Sequence, residues 1–63
     1  LGAVTITNPD DAPVYLEASL TSQIVANAAY QEVYHYSNFT DGFFLITLDS
    51  ERSGWVLLED VIP

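Results

Sequence analysis

The chain reads as a small all-β domain, a barrel of about five antiparallel strands, and three observations predict it. Its 63 residues suit one domain, near the lower limit for burying a core without covalent help. Its apolar residues come in short runs rich in β-branched and aromatic side chains, each soon broken by Asn, Asp, Ser, Pro or Gly. No stretch carries the apolar spacing of a three-turn helix.

Taken in order, Val4-Thr5-Ile6-Thr7 alternates apolar and polar residues as a half-buried strand does, and Asn8-Pro9-Asp10-Asp11 breaks it with turn formers. Pro13 to Leu16 is a short extended piece, and Glu17 to Gln23 is a polar loop holding Ser19, Thr21 and Ser22. Ile24 to Ala29 fits a helical turn or a strand, and its β-branched pair favours the strand. Glu32 to Tyr36 is rich in strand formers and is closed by Ser37-Asn38. Asp41-Gly42 starts the next strand, and Gly42 suits the positive φ with which a tight turn ends.

Phe43 to Leu48 is the most hydrophobic segment, as befits a central strand covered on more than one side. Asp49 to Ser53 is a polar hairpin loop. Gly54 to Leu57 completes the hairpin, with Gly54 at a close backbone approach or a bulge. Leu58-Glu59-Asp60 is a single 3-10-like turn into the last short strand, Val61-Ile62. The expected core is Val4, Ile6, Val14, Ile24, Val33, Phe44, Ile46, Val56 and Val61.

Nine acidic residues stand against one basic residue, Arg52, for a net charge of −8. A phosphate backbone binds through Lys and Arg, so nucleic acid is excluded as a partner, and an anionic membrane surface would repel the chain as well. The acids are scattered with no run longer than two, which is loop and face decoration rather than an acidic tail. They suit a basic partner, a metal-rich or salty environment or, more plainly, a solvated surface.

The opening residues lack the charged start, apolar stretch and cleavage site of a signal peptide, and no apolar run is long enough to cross a bilayer. There is no cysteine, hence no disulfide, and a lone histidine cannot build a structural zinc site. His35 with a nearby Ser or Asp is the one conceivable catalytic set; the plainer account is a strand histidine packed by its apolar body. Asp10-Asp11 and Glu59-Asp60 have the ligand type for a hard cation, but turn acids usually cap or solvate. Asn38-Phe39-Thr40 fits the glycosylation acceptor pattern, here as a chance match. No cofactor, metal site or enzymatic activity is expected.

Asp41-Gly42-Phe43-Phe44-Leu45-Ile46, a polar hairpin, Gly54-Trp55-Val56 and then Asp60-Val61-Ile62 follow at intervals that resemble bacterial Src-homology-3-like (SH3b, SH3 type 3) domains. In those domains a Gly-Trp-aromatic strand pairs with a Gly-Trp-Val strand, followed by a single-turn helix and a closing aliphatic strand. Val14 to Leu16, the Ser/Thr loop, Ile24-Val25-Ala26 and Glu32-Val33 match the earlier part more loosely, so the resemblance spans nearly the whole chain. It implies a single SH3-like barrel over residues 1–63, cut from a larger protein, in the cell envelope or secreted.

The resemblance further implies a non-catalytic interaction or targeting module for a peptide, a peptidoglycan fragment or an adjacent protein domain. The other reading is a structural module packed against a neighbouring domain of its own chain, with no free ligand. Two departures bear on function. Tyr15-Leu16-Glu17-Ala18 replaces an Arg-Ser-Gly-Pro-like stretch, and Leu57 and Asp60 stand where proline-binding relatives carry a proline and a tyrosine, which argues against proline-motif recognition.

Aromatic side chains are the best functional material, since Tyr and Trp join an apolar body to a polar tip. If Val33 and His35 face inward, Tyr34 and Tyr36 face outward; if Phe44 and Ile46 face inward, Phe43 faces outward. In related barrels the residue matching Phe43 lines the ligand groove. The expected site is therefore one exposed patch of Tyr34, Tyr36 and Phe43, with Tyr15 and Trp55 at its edge; the plainer account of the two tyrosines is that they are good strand formers.

Overall fold

A computed structural model of the chain describes residues 2–63. It contains seven strands: β1 (Gly2–Ile6), β2 (Ala12–Tyr15), β3 (Ile24–Ala28), β4 (Val33–Thr40), β5 (Phe43–Asp49), β6 (Arg52–Leu57) and β7 (Val61–Ile62). A 3-10 turn over Leu58–Asp60 joins β6 to β7. Each run read as extended is a strand, so the expected count of about five rises to seven.

All seven form one antiparallel sheet in the order β3-β2-β6-β5-β4-β1-β7, with β5 at its centre. No ladder joins β3 to β7, so the hydrogen-bonded sheet is open. It is nonetheless strongly curled. Laid flat, seven strands would span about 29 Å and present a slab about 10 Å thick, whereas the molecule measures 24 × 24 × 21 Å. The curl brings Ala28 of β3 and Val61 of β7, from opposite ends of the sheet, into one buried cluster.

That core holds Val4, Ile6, Ala12, Val14, Ala28, Phe44, Ile46, Val56 and Val61, with Tyr34, Tyr36 and Leu48 packed against it. Two expected members lie outside: Ile24 is 53% exposed and Val33 62%. Ile24 sits on the outer side of an edge strand, and Val33 has the opposite phase from the one expected. Ala12 and Ala28, which pair with each other across β2 and β3, take inner positions instead.

The turns follow local chemistry. Asp41 (φ 53°) and Gly42 (φ 81°) both adopt positive φ between Thr40 and Phe43, which are paired. This is the two-residue hairpin geometry that Asp-Gly favours. Ser37-Asn38 does not end β4 as expected: it forms a bulge between Tyr36 and Asn38, and the strand continues to Thr40. The hairpin joining β5 to β6 is also tighter than expected, since Asp49 pairs with Arg52. There the Asp49 carboxylate accepts from the Glu51 amide and from Arg52 Nε, each at 2.9 Å.

Gly54 is required where β2 crosses β6. A Cβ at that position would lie 2.3 Å from Val14 Cγ1 and 3.1 Å from the Tyr15 carbonyl oxygen. The close approach expected from the sequence is present, and it lets Tyr15 pair with Trp55.

Candidate functional site

Paired residues on neighbouring antiparallel strands point to the same face, so the register sorts every strand residue onto an inner or an outer surface. Gly54 and Val56 of β6 are buried inward, which turns Trp55 and Leu57 outward. Trp55 pairs with Tyr15 on one side and Leu45 on the other. Tyr15 pairs with Ile24, and Leu45 with Asn38. One continuous row therefore crosses five strands on the outer surface: Ile24, Tyr15, Trp55, Leu45 and Asn38. Beside it, Phe43 pairs with Leu57.

Tyr15, Leu45, Trp55 and Leu57 are half-buried. Phe43 is only 4% exposed, although it too points away from the core. The Tyr15 ring meets it edge-on, with centroids 5.8 Å apart and an interplanar angle of 88°. This arrangement suits the aromatic quadrupoles and leaves Tyr15 as the outer layer.

The single exposed patch expected from the sequence is thus divided between two faces. Tyr15, Phe43 and Trp55 come together on the outer surface, with Phe43 beneath rather than at the front. Tyr34 and Tyr36 lie on the inner face, where Tyr34 pairs with Val4 and Tyr36 with Gly2 and Ile46. The Tyr36 ring packs on Phe44 at 4.8 Å and covers Gly2, whose Cβ, if present, would lie 3.2 Å from Tyr36 Cε2. Phe39 also packs on Phe44, with ring centroids 4.6 Å apart. Val33 and His35, expected inside, are exposed on the outside. The phase of β4 is inverted because half-burying two tyrosine rings removes more apolar area from water than burying one valine and one imidazole.

The sequence reading missed Leu45 and Leu57. Their signal was available: in a strand centred on inward Phe44 and Ile46, Leu45 must face out, and an outward leucine beside an outward tryptophan marks an apolar outer surface.

A second feature is a shallow groove of about 330 Å³ at one end of the curled sheet, lined by Leu16, Val25, Leu48, Glu51, Arg52 and Ser53. It carries the chain's only cation, which is exposed and tied to Asp49. The Glu51 amide and the Arg52 guanidinium hold the Asp49 carboxyl below its ordinary value of 3.8. No group of three or more His, Asp or Glu side chains is placed to share a metal ion among the described residues.

The carboxylates keep to the turns and to one strand end. Asp10, Asp11, Glu17, Glu32, Asp41, Glu51, Glu59 and Asp60 lie in turns, loops or the 3-10 turn, and Asp49 is the last residue of β5. Asp60 is fixed there by the Asn8 amide, whose Nδ2 donates to its Oδ1 at 3.0 Å, while the Thr7 N–H donates to its carbonyl at 2.9 Å. The outer row is therefore an uncharged strip.

Comparison with known proteins returns no matching family model, curated protein or solved structure.

Proposed function

We propose that the chain is an SH3-like barrel of the bacterial kind that works as a non-catalytic interaction module, with the outer row centred on Tyr15 and Trp55 as its contact surface for peptide or peptidoglycan fragments. The observation that carries this reading is the row itself. A small domain that has already filled its core also places an aromatic and aliphatic strip on the other side of the same strands, half-open to water. Tyr and Trp in such a setting offer flat apolar surface with polar tips, which suits sugar rings and extended peptide. The barrel assignment rests on the curl of the sheet and on the succession of Asp-Gly turn, β5, hairpin, β6, 3-10 turn and short β7.

Trp55 is the only tryptophan, so its emission reports on the row without labelling. Titration with a soluble disaccharide-peptide from peptidoglycan should change Trp55 fluorescence saturably, and Trp55 and Tyr15 should show the largest NMR shifts. Unchanged emission up to millimolar ligand, or shifts confined to residues away from the row, would contradict the reading.

A further inference from the structure

The two ends of the sheet are built differently. β7 is two residues long, which is one of the ordinary ways a sheet edge is made unattractive to other strands. β3 is five residues long, Ile-Val-Ala-Asn-Ala, with no charge, proline or glycine to deter pairing, and its one irregularity is a shift of register against β2 at Val25. It is hydrogen-bonded to β2 on one side, and among the described residues no other backbone bonds to it. Ile24 and Val25 are 53% and 38% exposed, so the edge is apolar as well as unpaired. Ile24 is also the terminal member of the outer row, which stops at β3 only because no further strand follows.

Carboxylates stand at both ends of this edge. At the Ile24 end, Glu51 shares the groove with Val25 and with Arg52, whose charge is matched by Asp49 at 2.9 Å, and Glu17 follows Leu16, whose N–H donates to the Gln23 carbonyl at 2.8 Å. At the other end Ala28 pairs with Ala12, which follows Asp10 and Asp11, and Asp11 Oδ1 accepts from the Tyr30 N–H at 2.8 Å. The outline is a short uncharged edge between two acidic borders.

We propose that the free edge of β3 accepts an extended segment of a cationic partner as an eighth strand, with apolar side chains alternating over Ile24 to Ala28 and Lys or Arg at each flank. The main-chain ladder would supply affinity, and the acidic borders would select the sequence. A second copy of this chain is the wrong occupant. Pairing β3 with β3 would bring the same carboxylates together, between molecules that each carry a net charge of −8. The inference concerns backbone pairing at the edge and stands apart from ligand contact on the Tyr15–Trp55 row.

The test uses three synthetic nine-residue peptides on isotope-labelled protein: Lys-Lys-Val-Thr-Val-Thr-Val-Lys-Lys, the same peptide with Glu for every Lys, and the Lys peptide N-methylated at alternate residues. Amide hydrogen exchange and NMR shifts are read residue by residue. The Lys peptide should slow exchange within residues 24–28 and bind at least about tenfold more tightly than either control, a difference of about 1.4 kcal/mol. Ile24→Lys, at an exposed position, should weaken binding of the Lys peptide by about tenfold or more while leaving the melting temperature near that of the parent. Equal binding by the Glu peptide would overturn the charge argument, and equal binding by the methylated peptide would overturn the ladder. Protection of 24–28 that appears with rising protein concentration alone would identify a second copy as the occupant and overturn the proposal. Shifts confined to Tyr15 and Trp55 would also overturn it, while leaving the contact row intact.

Discussion

β5 and β4 are hydrogen-bonded neighbours with aromatic-rich sequences, yet the sheet uses them in different ways. In β5, Phe43 and Phe44 are both buried on opposite faces, Phe44 in the core and Phe43 under the Tyr15 ring. In β4 only the inner face is covered: Tyr34 and Tyr36 are half-buried there, while Val33 and His35 face solvent. The inner surface is thus buried along most of the curled sheet and frays only at Phe39, which is 48% exposed, whereas the outer surface is apolar and partly covered over β2, β6 and β5 and open over β4. A chain of this length needs only the first surface to fold. The second is extra apolar area concentrated at one place, which is why we assign contact to it.

Substitutions can break this comparison, and the largest effect is expected at the inner face of β5. Phe44→Ala should cost about 3–5 kcal/mol, as much as the about 3–5 kcal/mol a single core of this size supplies. The variant should be largely unfolded at room temperature by circular dichroism; a cooperative melt near the parent's would show that Phe44 is not central. Gly54→Ala comes next. It drives a methyl group into Val14 where β2 crosses β6, and should cost about 1–3 kcal/mol in urea denaturation. An unchanged midpoint would mean that the two strands separate more easily than the structure implies.

The all-β class was legible in the sequence, since turn chemistry and β-rich runs mark the extended segments, the Asp-Gly hairpin and the close approach at Gly54, whereas the count of about five strands in a closed barrel gives way to seven in an open sheet. Facing was harder. Val33-Tyr34-His35-Tyr36 alternates two good strand formers with each other, so the pattern is periodic but does not say which half goes inside. Phe43-Phe44 hides the phase in the same way, because adjacent aromatics look alike whichever is core. Ala12 and Ala28 give almost no burial signal, and their inner placement follows from pairing with each other across β2 and β3, which the sequence does not reveal. The candidate site carries the same ambiguity: Tyr15 and Trp55 share the outer surface with Phe43, which is buried beneath Tyr15 rather than exposed, and Tyr34 and Tyr36 lie on the inner face because β4 has the opposite phase.

Smaller effects sharpen the contrast between the uncharged strands and the acidic turns. Raising salt from low ionic strength to 0.15 M-like conditions, where the Debye length is about 8 Å, should raise the melting temperature slightly by screening repulsion among the turn carboxylates. A fall would mean that attractive pairs outweigh it. The smallest effect belongs to Asp49, whose carboxyl is held low in the folded state by the Glu51 amide and then by Arg52. Its contribution is present above the ordinary value of 3.8 and is lost as the pH falls through the lower folded-state value. An NMR titration should place the Asp49 midpoint below 3.8, and a midpoint at or above it would remove the hairpin bonds from the account.

The claim that one face of the sheet is core and the other is free is tested most directly on two adjacent residues of β4. Tyr34→Ser and Val33→Ser are compared by urea denaturation under the same conditions. Tyr34→Ser should lower stability by about 1–3 kcal/mol, because it uncovers the inner cluster, and Val33→Ser by about 0.5 kcal/mol or less, because its side chain already meets water. The reverse order, with Val33→Ser the more damaging, would contradict the assignment of faces and with it the contact row.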